Sequence, residues 1–427
     1  MIGLEERIAF LNKPETGEWL AELYGAQQVS AQRTRYATVL RKHEEFFGKK
    51  ERVLLISAPG RTEIGGNHTD HNHGRVLAAA VNLDALCAVS PREDMIVDFH
   101  SEGRNPFEID LSDLSVRPEE KGTVRALIRG MAAYMKEAGY RIGGFDAAVT
   151  STVAPGSGLS SSAAIEVLLS GVLDALYNSF EMPFVQRAQI GQKAENVYFG
   201  KPSGLLDQMA SAAGGLVTVD FRNPEAPEVT PLAYDFAKKG YELVVVATGG
   251  SHENLTDHYA AIPQEMKQVA ARFGQDTLRG ITMEQLMKRV GGLREHVSDR
   301  AIMRAMHFIQ EDERVPVEVC ALQEDRIDDF LQAVVASGQS SFMYLQNVFA
   351  TNEDQSLSLA LCMAENLLRG KGAWRIHGGG FAGTTLNFVK TEDVPAFVQT
   401  MENAFGTGCC HVLNIRPRGA AMLDPQG

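Results

Sequence analysis

One segment constrains the fold of this chain more than any other. Residues 153–167 read VAPGSGLSSSAAIEV. They follow an apolar, strand-like run at 145–153, and Ile165, Leu168, Leu169 and Val172 then continue at helical spacing. The order is strand, glycine-rich loop, helix. Glycine lets the backbone turn tightly and approach a ligand without a Cβ clash. A helix starting there presents unpaired N–H groups and the positive end of its dipole, which favour an anion. Ser160, Ser161 and Ser162 add hydroxyls suited to phosphate oxygens or a magnesium ion. The G-x-x-x-x-G-K-[ST] pattern is absent, so this is not a Walker loop. A plain helix cap, where Ser and Gly are common, is the competing reading.

The rest of the chain reads as a mixture of strands and helices without strict alternation. Residues 1–47 have helical character, with breaks near Pro14 and Gly25. Short apolar runs at 52–57, 83–90 and 95–100 read as strands, the first ending at Ala58-Pro59-Gly60 before a polar loop. A helix is expected over 123–139 with Gly139 as its stop, a second over 185–199, and a strand over 216–221. Residues 223–239 are rich in proline and charge and mark the expected domain boundary. A strand at 242–247 opens the second half, helices dominate 255–368, and 374–389 reads as strand, glycine loop, strand. A helix at 394–405 and a strand at 411–416 close the chain. This pattern points to α+β rather than a doubly wound sheet.

Two further runs carry chemistry. Residues 58–74, APGRTEIGGNHTDHNHG, bring together Arg61, Glu63, Asn67, His68, Asp70, His71, Asn72 and His73. Such a mixture of amides, imidazoles and carboxylates offers the paired donors and acceptors that a polyhydroxylated ligand needs. A transition-metal site and a solvated turn are the alternatives. Residues 375–389, RIHGGGFAGTTLNFV, place three consecutive glycines between apolar runs. Close approach to a ligand would explain their entropic cost, and a bulged hairpin is the other reading.

Charge and cysteine usage remove several classes. The net charge of −13 argues against non-specific binding to nucleic acid or an anionic membrane. No apolar run long enough to span a bilayer occurs. The first ten residues, MIGLEERIAF, lack a signal-peptide core. Five irregularly spaced cysteines form no C-x-x-C pair and suggest no disulfide framework. A packing role is expected for Cys409-Cys410. The expected compartment is the cytoplasm, and the expected state a monomer or weak homo-oligomer.

Taken in order, these motifs resemble those of the GHMP kinase superfamily, and within it the galactokinases, over roughly residues 50–420. Gly60-Arg61, Gly66, His68-Thr69-Asp70 and Asn72 resemble the sugar-binding signature of that family. Residues 155–163 resemble its ATP loop. Gly204-Leu205-Leu206-Asp207-Gln208 resembles its Gly-x-x-Asp-Gln segment, and Gly378-Gly379-Gly380-Phe381 its third motif. The resemblance implies a two-domain GHMP kinase fold with the active site in the cleft between the domains. The expected parts are a helical extension at 1–50, an N-terminal kinase domain at 51–235 and a C-terminal kinase domain at 236–427.

The resemblance also implies roles. Asp207 and Arg61 are the expected catalytic pair, flanking the anomeric hydroxyl, with Asp207 acting as base or as a positioning charge. Asn67, His68, Asp70, Gly204 and Tyr259 are expected at the sugar. Pro155, Gly156, Ser157, Gly158, Leu159, Ser160, Ser161, Ser162, Gly379 and Gly380 are expected at the nucleotide, with Ser162 and Glu195 holding Mg²⁺. The implied reaction is ATP-dependent phosphorylation of galactose at its anomeric hydroxyl. The sequence departs from the family at three places: Asn67 stands where Glu is usual, His71 where Tyr is usual, and Glu63 where Asn is usual. These leave N-acetylgalactosamine, galacturonate or arabinose open as substrate. They also leave open a catalytically silent sugar and ATP sensor.

Overall fold

The computed structural model describes residues 3–154, 156–249, 255–381 and 383–425. Among the described residues the strands are β1 (Leu54–Gly65), β2 (Arg75–Pro91), β3 (Ile96–Ser101), β4 (Phe107–Asp110), β5 (Phe145–Ser151), β6 (Leu216–Asp220), β7 (Glu228–Leu232), β8 (Tyr241–Ala247), β9 (Ala373–His377), β10 (Thr384–Lys390), β11 (Cys410–Leu413) and β12 (Ala421–Leu423). They form two sheets. The larger has the order β12-β1-β2-β5-β3-β4, with β6 paired to β2 and β7 paired to β6; the smaller has the order β11-β8-β10-β9. Every pairing is antiparallel except β3 with β5. Helices pack on both sheets, so the architecture is α+β as expected. No described helix is long and apolar enough to cross a membrane.

β1 runs further than the sequence suggests. Pro59-Gly60 does not end it but sits at a register shift against β2, and pairing continues to Gly65. A bulge accommodates a residue without an N–H. It also lets the backbone of the glycine-rich loop lie against β1: a Cβ on Gly60 would sit 2.7 Å from the Leu159 carbonyl, which accepts from the Arg61 N–H at 3.0 Å. The candidate boundary at 223–239 contains β7, which extends the larger sheet. The chain also returns to that sheet at its other end, where β12 pairs with β1. Residues beyond 236 therefore contribute a strand to the larger sheet.

The main core lies between the larger sheet and helices Val124–Glu137 and Ser161–Tyr177, and it continues through Leu243, Val245, Leu386 and Phe388 of the smaller sheet. The N-terminal helices Leu4–Leu11, Pro14–Tyr24 and Val29–Phe47 cover the outer face of β1, β2 and β5 through Leu20, Tyr36 and Leu40. They are tied down by Asp84 of β2, a fully buried carboxylate. Its Oδ2 accepts from the Tyr24 hydroxyl at 2.5 Å and from Arg416 at 3.1 Å, and its Oδ1 accepts from Arg35 at 2.6 Å. Cys409 is buried in the small core under the second sheet.

Candidate active site

A cavity of about 920 Å³ opens where the two sheets meet. Its walls come from five separate parts of the chain. They are the end of β1 with the turn after it, the glycine-rich loop, residues 196–207, helix Thr256–Arg272, and the glycine run after β9. β9 is joined directly to β1 beside the cavity. His377 Nε2 lies 3.0 Å from the Thr62 hydroxyl and accepts from the Glu63 N–H at 3.3 Å. Arg375 donates to Glu63 at 2.6 Å.

At the cavity floor the Arg61 Nε donates to Asp207 Oδ1 at 2.7 Å, and the Ser160 hydroxyl donates to Asp207 Oδ2 at 2.8 Å. Burial alone would raise the Asp207 carboxyl, but Arg61, Lys201 and Ser160 hold it below its ordinary range. It is an anion at neutral pH. Arg61 also donates to the Gly158 carbonyl, so one guanidinium clamps Asp207 to the loop.

Helix Ser161–Tyr177 begins beside this pair, preceded by Ser160 in the left-handed region at φ 57°. Gly156, Gly158, Ser160, Ser161 and Ser162 line the cavity. Two neighbours do not share that placement. The Leu159 side chain is fully buried in the main core, because the loop must anchor an apolar residue before the helix can start. The Ser157 hydroxyl turns back to the Ala154 carbonyl at 2.6 Å, satisfying the turn instead of facing the cavity. Pro155 lies outside the described residues.

Behind the loop, Glu195 accepts from the Ser162 hydroxyl at 2.7 Å and from Lys201 at 3.0 Å. Gln208 bridges Glu195 and Glu166, donating to each at 2.9 Å. Burial, reinforced by Glu195, raises the Glu166 carboxyl well above its usual value. Burial opposes the charge on Lys201, but Glu195 and Asp207 raise its pKa above the ordinary lysine value. Among the described residues no group of three or more His, Cys, Asp or Glu side chains forms a metal-binding cluster.

Asp70 sits against the backbone of residues 204–206, with Leu206 N–H 3.5 Å from Oδ2 and His71 N–H 2.9 Å from Oδ1. His68 lines the cavity, with Nε2 3.0 Å from the Gly379 carbonyl. Burial lowers its pKa to about 4, so it is neutral. Tyr259 also lines the cavity; its hydroxyl donates to the Gly380 carbonyl at 2.8 Å. Gly379 and Gly380, expected at the nucleotide, thus make their contacts with His68, Tyr259 and Asn347, all but the last expected at the sugar.

Asn67 does not reach the cavity. It is fully buried, and Glu63 projects there instead. The Asn67 amide donates to Glu63 Oε1 at 2.9 Å and to the Gly378 carbonyl at 2.7 Å, while its oxygen accepts from Ser341 at 3.2 Å and Asn347 at 3.0 Å.

Sequence reasoning assigned no role to Lys201, Gln208, Glu166, Arg375 or His377. Gln208 directly follows Asp207, and His377 directly precedes the glycine run, so position beside a motif was the available signal. Glu166 and Arg375 lie within the glycine-rich runs at 153–167 and 375–389, but only the packing shows which groups they face.

The paired sheets, the helix starting at the glycine-rich loop and the cleft between them define a GHMP-type kinase. The model of the GHMP kinases N terminal domain matches residues 126–215, and that of the galactokinase galactose-binding signature matches residues 41–91. Mevalonate kinase of Methanococcus jannaschii shares the fold, with a TM-score of 0.59 at 14% identity over 88% of this chain and 98% of its own. Within that class the chain belongs to the galactokinase family. It is 33% identical to galactokinase of Streptomyces coelicolor over 86% of this chain and 92% of the relative. It is 29% identical to human galactokinase over 97% and 100%. The structure of Lactococcus lactis galactokinase complexed with galactose superposes with a TM-score of 0.80 at 25% identity, covering 91% of this chain and all of that one.

Proposed function

We propose that this chain transfers the γ-phosphate of ATP to the anomeric hydroxyl of galactose, giving α-galactose 1-phosphate and ADP. The observation that carries the reading is the Arg61–Asp207 pair at 2.7 Å, held beside a serine-lined helix N-terminus in one cavity. Phosphoryl transfer needs positioning and charge neutralisation more than covalent chemistry, and these residues supply both.

The phosphates lie along Gly156, Gly158 and Ser160–Ser162, where free N–H groups and the helix dipole meet their charge. The sugar lies against Asp70, His68, Gly204 and Tyr259. Its anomeric oxygen attacks the γ-phosphorus while the bond to the β-phosphate oxygen breaks, and ADP leaves. Asp207 orients that hydroxyl and takes its proton as the new bond forms. Arg61 balances the charge on the transferring group. Because Arg61 and Ser160 already engage Asp207 and keep its pKa low, it is a weak base, and orientation is its larger contribution.

Ser162 on the cavity wall and Glu195 buried directly behind it would hold Mg²⁺. These are oxygen donors in contact, and magnesium draws its remaining ligands from phosphate and water rather than from a protein cage. Bound there, the ion would neutralise charge between the β- and γ-phosphates. Lys201 pairs with Glu195 at 3.0 Å. The two sheets serve as the walls of a kinase cleft, the larger built from residues 51–235 with the returning strand β12 and the smaller from within 236–427, and the cytoplasm is the matching compartment.

ADP release measured with a panel of sugars tests the reading. Turnover with galactose is expected; none with galactose or any sugar sharing its axial C4 hydroxyl overturns it. Sugar and ATP binding without ADP release would establish a sensor instead.

A further inference from the structure

Glu63 is a cavity residue that the reaction above does not use. It lies two positions after Arg61 on β1, and the two face Ala78 and Ala80 in an unbroken stretch of pairing with β2. Both side chains therefore project from the same face, separated along the strand by about 6.5–7 Å. That is roughly one sugar ring away from the Arg61–Asp207 pair.

The Glu63 residue is 5% exposed, and among the described residues one of its carboxylate oxygens is engaged. Oε1 accepts from both Arg375 and Asn67. Oε2 accepts no hydrogen bond from the described residues, yet it is not among the sealed polar atoms that lack a partner. It is open to the cavity that Glu63 lines. Open to the cavity, Oε2 is the acceptor that Glu63 has left for a ligand donor.

Asn67 cannot play this part. An amide side chain has two donors and two acceptor sites, and Asn67 has filled all four within the protein. Its work is to hold Glu63. Arg375 and Asn67 thus fix one oxygen of Glu63 and aim the other.

We propose that Glu63 is a substrate-contacting specificity residue whose Oε2 accepts a hydrogen bond from a sugar hydroxyl remote from the one phosphorylated. This rests on the kinase reading for the orientation of the sugar. The contact selects a donor at that position. A neutral hydroxyl or an ammonium group satisfies it. Burial pushes the Glu63 carboxyl up to about 7 against the pull of Arg375, Arg61 and Asn67; above that pH it is an anion, and a second carboxylate, as in a uronic acid, then places acceptor against acceptor.

The test compares the native protein with Glu63→Gln and Glu63→Asp, using galactose, its four monodeoxy derivatives at C2, C3, C4 and C6, and galacturonate. Glu63→Gln is expected to raise the KM for galactose about tenfold or more and to leave the KM for ATP unchanged. For one deoxy sugar the penalty should vanish, because the hydroxyl that Glu63 contacts is gone. Galacturonate should gain relative to galactose in Glu63→Gln. Glu63→Asp keeps the charge but shortens the reach, so it should show the same loss and serves if Glu63→Gln does not fold. A galactose KM within twofold of native, or an equal penalty on every deoxy sugar, overturns the proposal. Calorimetric binding separates it from the kinase reading. If the native protein binds galactose without turning it over, the kinase reading fails; Glu63 is then judged by the binding constants, and equal affinity in native and Glu63→Gln protein overturns its role.

Discussion

The carboxylate of Asp70 occupies the space that a side chain at residue 204 would need: a Cβ on Gly204 would lie 1.7 Å from Asp70 Oδ2. The two residues are far apart in sequence, and Gly204 stands three positions before Asp207. Its lack of a side chain lets the turn after β1 close on the segment that carries Asp207.

Gly204→Ala is therefore expected to push Asp70 out of place. The KM for galactose should rise sharply, with the KM for ATP close to native. Steady-state kinetics with each substrate varied in turn check this. An unchanged galactose KM would show that Asp70 does not contact the sugar.

Asp207→Asn keeps the shape of the side chain and removes its charge. Turnover is expected to fall by about 10²–10⁴-fold, while ATP binding, measured by calorimetry, is retained. Near-native turnover would remove Asp207 from the mechanism.

Glu195→Gln tests the magnesium assignment. The bond from Gln208 must rearrange, but Ser162 still has a partner in the amide oxygen. The Mg²⁺ concentration for half-maximal activity is expected to rise severalfold. An unchanged magnesium titration would place the ion elsewhere.

Asp84→Asn tests the anchoring of residues 1–47. It leaves the buried Arg416 guanidinium without its charge partner, a loss of about 3–5 kcal/mol, read from urea unfolding. The pH dependence has a definite sign. Burial works to raise the Asp84 carboxyl, but Arg35, Arg416, Ser57 and Tyr24 bring it below its ordinary value. A carboxyl depressed in the folded state stabilises fully above its unfolded pKa of about 4, and the contribution is lost as pH falls through the lower folded value. The native protein should lose stability on that acid limb more steeply than the variant. Parallel curves would show that Asp84 is not what anchors the extension.

Local patterns were legible wherever one stretch of chain carries its own signal. The helix expected at 394–405 matches Val394–Phe405. The strand–glycine–helix unit and the glycine loop between β9 and β10 were read from composition and order. β12 was not, because three residues carry no period of their own; it exists only because β1 offers it an edge. The continuation of β1 through Pro59-Gly60 was missed for a related reason, since a bulge is fixed by the partner strand.

The amino-acid order determined which chemical groups this protein possesses and roughly where each motif lies: the serine-rich helix start, the polar loop after β1, and the Asp207 segment. Tertiary structure alone decided which groups face one another. Asn67 and Glu63 are four residues apart in the same run, and nothing local says which enters the cavity. The decision comes from Arg375, Ser341 and Asn347, delivered from the other half of the chain. Their hydrogen bonds saturate the amide and leave one carboxylate oxygen open. A buried polar group must find its partners wherever the packing brings them, so the identity of the free group is a property of the fold and not of the motif.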